Sequence, residues 1–291
     1  MPRTAPRLRA GSSSRLAELE RRRPEWQAWF RLLKEVERSP VASRQSPVSH
    51  ESRGSRQSPV ASSPDAPLLQ GLTLTVDAAE LRRLIARLAA TASEIEGGTS
   101  LRRFRPSAKD TVALIGAAVR QDRDAIATIA ASCGLAAEAL ASVIHLAALP
   151  LLRSCGRALQ ARVPRYWPHG YCPVCAAWPV FAERRGLDRS RRLRCGRCAG
   201  EWEIEWLTCV FCGERNHQQL GSLVPDDGEL LKVETCASCQ GYLKSIATLQ
   251  AIPDFELLLR DLETVELDLV ALEWGYSRPE ENGFRLEVEV V

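Results

Sequence analysis

Apolar positions recur at helical spacing through the first half of this chain and break into short alternating runs through much of the second. Over residues 14–38, Leu16, Leu19, Trp26, Trp29, Phe30, Leu33 and Val36 form a helical stripe, which Pro24 divides or reopens. Trp26 and Trp29 read as core residues, with a partner-facing role as the alternative. From Val76 to about Val163 helices dominate. Asp77 can cap a helix whose Leu81, Leu84, Ile85 and Leu88 lie on one face, ending before Gly97-Gly98. Ser107–Arg120 predicts a second helix, with Val112, Ile115 and Val119 inward, and Asp122–Ser132 a third, stopped near Gly134. Leu135–Ala161 predicts a long fourth, bent or broken at Pro150. Dense alanine here favours close helix packing. Cys133 and Cys155 read as small buried residues and His145 as a core histidine with satisfied polar atoms.

The second half reads as strands and one helix. Trp178–Arg184 and Arg189–Arg194 predict a hairpin. Glu201–Leu207 alternates, with Trp202, Ile204 and Trp206 on one face and three glutamates on the other. Leu220–Val224 and Leu230–Glu234 predict a second hairpin around a Pro225-Asp226-Asp227-Gly228 turn. Asp254–Trp274 predicts one amphipathic helix with an acidic outer face, ending near Gly275. The fold class is α+β: an N-terminal all-helical domain, two tandem rubredoxin-like or zinc-ribbon modules, and a C-terminal helix.

Between the first helical stripe and the helical domain lies a tract of low complexity. RQSPV occurs at 44–48 and again at 56–60, so residues 39–67 are expected to be a disordered, solvated linker. The expected division is 1–70 for the basic helix and linker, 71–165 for the helical domain, 166–208 and 209–250 for the two modules, and 251–291 for the acidic helix and tail. The formal charge of +3 over 291 residues is too small to demand nucleic acid. Its distribution is uneven, because residues 1–66 balance to +6 and residues 251–291 to −8. The opening MPRTAPRLRA is not followed by an apolar segment, so no secretory signal is expected. The apolar stretch Leu135–Leu152 contains Glu138 and His145 and reads as a buried helix rather than a membrane span. A cytoplasmic location follows, where paired thiols hold metal more often than they form disulfides.

The candidate chemistry is concentrated in one quarter of the chain. Four Cys-x-x-Cys turns, Cys172/Cys175, Cys195/Cys198, Cys209/Cys212 and Cys236/Cys239, take eight of the ten cysteines. Each such turn aims two thiolates at one point, and a tetrahedral ion needs two turns. Nineteen residues separate the first two turns and twenty-three the last two, each suited to one hairpin. We therefore pair Cys172/Cys175 with Cys195/Cys198, and Cys209/Cys212 with Cys236/Cys239; interleaved pairing is the alternative. Two ions are implied, and an all-sulfur set suits iron or zinc. A ribbon of this size buries too little surface to fold alone, and metal supplies the deficit. With eight thiolates for two sites, His169 and His217 are surplus to the ligand set.

Six arginines fall between Arg184 and Arg194. They could grip phosphate or an acidic chain, or solvate a hairpin tip. A nucleic-acid-binding zinc ribbon is thus the alternative function, although nucleic acid is the less favoured partner because the run lacks aromatic interleaving. No phosphate loop, catalytic triad or paired carboxylates appear, so no catalytic residue is assigned and the chain reads as a non-enzyme. A dithiol redox enzyme would need one of the four turns free of metal.

The motifs GYCPVC at 170–175, LRCGRCAGEW at 193–202, CVFC at 209–212, ETCASCQGYLK at 234–244 and LDLVALEWGYSR at 267–278 together resemble the formate dehydrogenase accessory protein family, FdhE. The likeness covers about 166–285 closely and the helical part more loosely. It implies a cytoplasmic factor needed to make active respiratory formate dehydrogenase, binding that enzyme's catalytic subunit. It also implies two rubredoxin-like metal modules, iron being indicated and zinc the competitor. Three departures stand out: Ala176-Ala177 where Gly-Ser is expected, Trp206 where a basic residue is expected, and the 39–67 tract.

Overall fold

The computed structural model describes residues 10–39, 48–49, 65–225 and 230–291. Most of the low-complexity tract, and the turn expected at 225–228 apart from Pro225, lie outside the described residues. The described chain forms two units. One is built from residues up to 49, 69–158 and 286–291, the other from 65–68 and 159–285.

The first unit is helical. α1 (Ala10–Arg22) and α2 (Gln27–Glu37) are separated by a short turn at Pro24–Trp26, where proline starts the new helix. Phe30, Leu32 and Val36 are buried on α2, whereas Trp29 faces solvent. α3 (Ala78–Ala92) begins at Asp77, whose carboxylate accepts from the Glu80 N–H at 3.0 Å. α4 (Ala108–Arg120) carries a capping box made by Ser107 and Asp110. Asp122 caps α5 (Arg123–Ser132), and α6 (Ala137–Leu159) follows. α6 does not break at Pro150 but runs through it as one 23-residue element. It is long and apolar enough to cross a membrane, yet 67% of its apolar window is buried inside the protein. Cys155 is buried as expected. Cys133 is not: it sits at the exposed C-terminal end of α5, where the chain turns outward at Gly134.

The C-terminal residues return to this unit. β1 (Val48–Ser49), β2 (Thr73–Leu74) and β9 (Glu289–Val290) form a small sheet in the order β1-β2-β9, with β2 and β9 parallel. Leu286, Val288 and Val290 are buried, and Arg120 donates to the Val288 carbonyl at 3.2 Å.

The second unit is a six-stranded sheet with two helices. Its strands are β3 (Phe181–Arg185), β4 (Ser190–Arg194), β5 (Glu201–Glu203), β6 (Leu220–Leu223), β7 (Leu231–Cys236) and β8 (Gly241–Thr248). The order is β5-β4-β3-β8-β7-β6. All neighbours are antiparallel except β3 and β8, which run parallel with Phe181 opposite Lys244. Both cysteine modules therefore contribute strands to one sheet. β8 is not expected from the sequence pattern. It is buried on both faces, so its residues do not alternate, and Lys244 interrupts the apolar run.

Two expected elements come out shorter. The strand over 201–207 stops at Glu203. The Arg191 guanidinium donates to the carbonyls of Glu205 at 2.9 Å and Thr208 at 3.0 Å, which diverts the backbone from the ladder and leaves Trp206 exposed. The single helix over 254–274 is two, α7 (Asp254–Glu263) and α8 (Val265–Glu273). Lys244 donates to the Asp261 carbonyl at 3.1 Å, the acceptor that the Val265 N–H needs in an unbroken helix. The Thr264 hydroxyl takes the Arg260 carbonyl at 2.7 Å. α8 also departs from expectation in character, because its outer face is largely apolar.

Candidate metal centres

Each centre stands where a hairpin brings two turns to the same end of the sheet. β3 and β4 pair with Phe181 opposite Arg194, so the turn before β3 meets the turn after β4. Cys236 ends β7 and Cys239 precedes β8, facing the Cys209/Cys212 turn that leads toward β6. The turns share one backbone plan. The N–H groups of Cys172, Cys195 and Cys209 donate to the carbonyls of Ala177, Gly200 and Glu214 at 2.8–2.9 Å. The residue after the second cysteine is left-handed in all four: Ala176 (φ 62°), Ala199 (φ 61°), Gly213 (φ 75°) and Gln240 (φ 54°). Ala176 thus adopts the glycine-type conformation with its methyl group in place.

The sulfurs converge in two groups of four. Cys172, Cys175, Cys195 and Cys198 form one group, and Cys209, Cys212, Cys236 and Cys239 the other, with all sulfurs of a group within 4.8 Å. Sulfur separations are 3.5 Å for Cys172–Cys198 and Cys175–Cys195, 3.7 Å for Cys209–Cys239, and 3.8 Å for Cys212–Cys236. A tetrahedron with sulfur at about 2.3 Å from its centre has edges of about 3.8 Å. These separations match that figure and are far beyond a disulfide of about 2.05 Å. The pairing is sequential rather than interleaved.

Backbone groups are turned toward the sulfurs. Val174 N–H lies 3.4 Å from Cys172 Sγ, Arg197 N–H 3.4 Å from Cys195 Sγ, and Gly200 N–H 3.4 Å from Cys198 Sγ. In the second group, N–H groups of Phe211 and Cys212 face Cys209, and those of Ser238 and Cys239 face Cys236. Such bonds favour thiolate over thiol. Gly200 is needed for this approach, since a Cβ there would stand 3.2 Å from Cys198 Sγ and 3.5 Å from Cys172 Sγ.

Electrostatically the sulfurs compete. Hydrogen bonds from Cys172, Cys175 and Cys198 hold Cys195 well below the ordinary thiol range. Burial, reinforced by Cys175 and Cys195, pushes Cys172 well above it. Burial also pushes Cys209 up, and Cys239 up to about 11. Four sulfurs in mutual contact cannot all ionise without a compensating cation. A dication at each centre removes that conflict, so the donor chemistry fits a tetrahedral metal. The two centres differ in exposure. All four cysteines of the first are buried, whereas Cys212 and Cys239 of the second are exposed.

Aromatic rings join the two centres. Tyr171, next to Cys172, meets Trp178 edge-on at 6.2 Å, and Trp178 meets Phe211, between Cys209 and Cys212, at 5.2 Å. His169 stacks on Tyr171 at 4.8 Å and lies 3.5 Å from Asp65, while His217 caps no sulfur; neither belongs to the sulfur groups.

The arginine run is spent inside the unit. Buried Glu183 accepts from Arg185 and Arg194 and from the Ile252 N–H at 3.2 Å. Arg185 also bonds Glu201 at 2.9 Å, Arg191 bonds Glu234 at 2.7 Å, and Arg192 bonds Glu203 at 3.4 Å. Arg184 donates to the Leu230 carbonyl at 3.3 Å. The partners of these charges were not legible in the sequence because they lie up to 60 residues away, as Asp254 does from Arg194, which it meets at 3.7 Å.

A mixed helix-and-sheet chain whose second unit carries two four-cysteine centres on one sheet defines a class of paired thiolate-centre proteins. The FdhE C-terminal domain model matches residues 193–284, which include six of the eight clustered cysteines. Over those residues the chain is similar to the FdhE family. An FdhE homologue from Aquifex aeolicus is 31% identical over 122 residues, 40% of this chain and 42% of that protein. One from Stutzerimonas stutzeri is 38% identical over 115 residues, covering 38% of this chain and 37% of that protein. The matched region thus spans about two-fifths of the length of these curated relatives. The crystal structure of the FdhE protein from Pseudomonas aeruginosa aligns over 94% of this chain and 93% of that one, at 22% identity and a TM-score of 0.56, a likeness of fold.

Proposed function

We propose that this protein is a non-enzymatic accessory factor for the formation of active formate dehydrogenase, and that it binds the catalytic subunit of that enzyme in the cytoplasm. The observation that carries this reading is the match of residues 193–284 to the FdhE C-terminal domain, together with eight cysteines gathered into two four-sulfur groups. In this reading Cys172, Cys175, Cys195 and Cys198 hold one ion, and Cys209, Cys212, Cys236 and Cys239 a second. Each ion is iron or zinc, and the chemistry it supplies is a tetrahedral cross-link between two turns.

The residues of the chain do the rest. Backbone N–H groups hold the sulfurs in the ligating form, the Glu183 and Lys244 clusters fix the strands and helices, and the outer surfaces are left to meet a client. The alternative, phosphate recognition by the hairpin arginines, finds less support because Arg185, Arg191, Arg192 and Arg194 are each matched by a carboxylate.

Anaerobic purification with metal analysis and an absorption spectrum tests the metal: ferric four-sulfur iron is strongly coloured and zinc is silent. Co-purification with the formate dehydrogenase catalytic subunit tests the partner. Absence of association, with both ions bound, refutes the client assignment.

A further inference from the structure

α8 is a nine-residue helix with little amphipathic character. Its inner side is occupied: Ala271 is buried, Leu267 packs with Val233 and Tyr242, and Asp268 bonds Lys244. Among the described residues, none covers its outer side. Leu269 is 54% exposed, Val270 39%, Leu272 53%, and Trp274, just past the helix, 68%. At 3.6 residues per turn, Glu266, Leu269, Val270 and Glu273 fall on one outward stripe, with Leu272 and Trp274 on its flanks. Solvated helices normally place polar residues there, so an apolar stripe on a short surface helix marks an interaction site.

We propose that the outer face of α8 docks a protein segment that presents an apolar cluster between two basic side chains. Charge selects this occupant. Glu266 and Glu273 are the only ionisable residues on the stripe, one at each end and seven residues apart, so about 10.5 Å along the axis. Glu273 stands in the last turn, where the helix dipole disfavours a carboxylate and where α8 has no basic residue. A cation from the partner would relieve that position. A second copy of this chain is a poor fit, because either orientation of two α8 stripes sets glutamate against glutamate. An anionic lipid surface is also a poor fit, since residues 251–291 carry a net charge of −8. Trp274 provides the aromatic anchor typical of docking surfaces. Position adds a consequence: Ser277 donates to the Gln240 carbonyl at 2.8 Å, so this face runs into the Cys236/Cys239 turn of the more exposed centre.

This deepens the client-binding reading by naming a face and the chemistry it selects. The test uses the full metal-loaded chain and two fluorescein-labelled helical peptides of 14 residues. Both carry Leu at i, i+3 and i+4, one with Arg and the other with Glu at each end of the cluster. Anisotropy is expected to show at least tenfold tighter binding of the Arg peptide, weakening severalfold from 50 to 500 mM NaCl. Trp274→Ala with Leu269→Ser should lower that affinity at least tenfold while Tm stays within 2 °C. Glu266→Lys with Glu273→Lys should reverse the peptide preference. Equal binding of the two peptides, or no effect of Trp274→Ala with Leu269→Ser, overturns the proposal. So does a dimer in sedimentation that those changes dissolve, or binding to anionic vesicles in place of the peptide. Should the formate dehydrogenase subunit fail to bind while the Arg peptide behaves as expected, the client's identity falls and the docking face stands.

Discussion

The Lys244 ammonium, wholly buried on β8, lies 2.7 Å from an Asp268 carboxylate oxygen on α8. Asp261 meets it at 2.7 Å, the Tyr242 hydroxyl donates to Asp268 at 2.8 Å, and Arg278 reaches Asp268 at 3.2 Å. The Tyr-Leu-Lys and Gly-Tyr-Ser-Arg segments that stand out in the sequence are therefore two halves of one ionic cluster that seats α7 and α8 on the sheet.

Removing one partner of a buried pair leaves a charge without solvent, at a cost of roughly 3–5 kcal/mol. Asp268→Ala strands Lys244 beside Asp261 alone and should approach that loss. Lys244→Met should cost less, because Asp268 keeps Tyr242 and Arg278. Urea unfolding of the metal-loaded protein at neutral pH checks the order; a larger loss from Lys244→Met would contradict it.

The left-handed turn positions make a finer prediction. An L-residue with positive φ carries a penalty of about 1–2 kcal/mol, offset in part by the greater unfolded-state freedom of glycine. Ala199 is half-buried, so Ala199→Gly should stabilise by about 0.5–1 kcal/mol. Ala176 is fully buried, and its methyl is worth about 0.8 kcal/mol. Ala176→Gly should therefore be close to neutral. Denaturation midpoints of the two variants decide this.

Unequal burial of the sulfurs predicts ordered metal loss. Under a chelator with iodoacetamide, exposed Cys133 should react at once; among the eight clustered cysteines Cys212 and Cys239 should be alkylated first, and one ion should leave well before the other. Cys212→Ser should halve the bound metal and leave the first centre filled. Cys195→Ser should destabilise the whole sheet unit, since a four-thiolate site contributes on the order of 10 kcal/mol apparent. Mass spectrometry of labelled peptides alongside metal content gives the sequence of events.

Burial, then the hydrogen bond to Asp268, pushes the Tyr242 phenol up to about 12 from its ordinary 10.0. The fold favours the neutral phenol, so this group's stabilising contribution is complete below pH 10 and is lost as pH rises toward 12. Absorbance at 295 nm should show Tyr242 ionising late, and Tyr242→Phe should remove that step. A titration complete near pH 10 would rule out the buried contact.

Local chemistry was readable in the sequence and distant chemistry was not. Asp77, Ser107 and Asp122 announce their helices because a cap acts within three residues. The two sulfur groups are legible because each turn is local and the intervening lengths suit one hairpin. β8 escaped because Lys244 looks polar until Asp261 and Asp268 are brought to it. The break at Thr264 has the same origin, a carbonyl taken by a side chain from another strand. The exposure of Trp206 follows from Arg191 reaching across to two carbonyls, which no alternation pattern encodes.

The parallel contact between β3 and β8 has a consequence for how the chain is made. Each hairpin closes over a few tens of residues, but Phe181 must wait for Lys244, 63 positions later. Closing the longer loop costs more entropy, so the central join should form after both hairpins. Until β8 has emerged, β3 presents an open edge able to template stray pairing. A nascent or truncated chain ending before residue 241 is thus the aggregation-prone form, and completion of β8 is the step that makes the sheet safe.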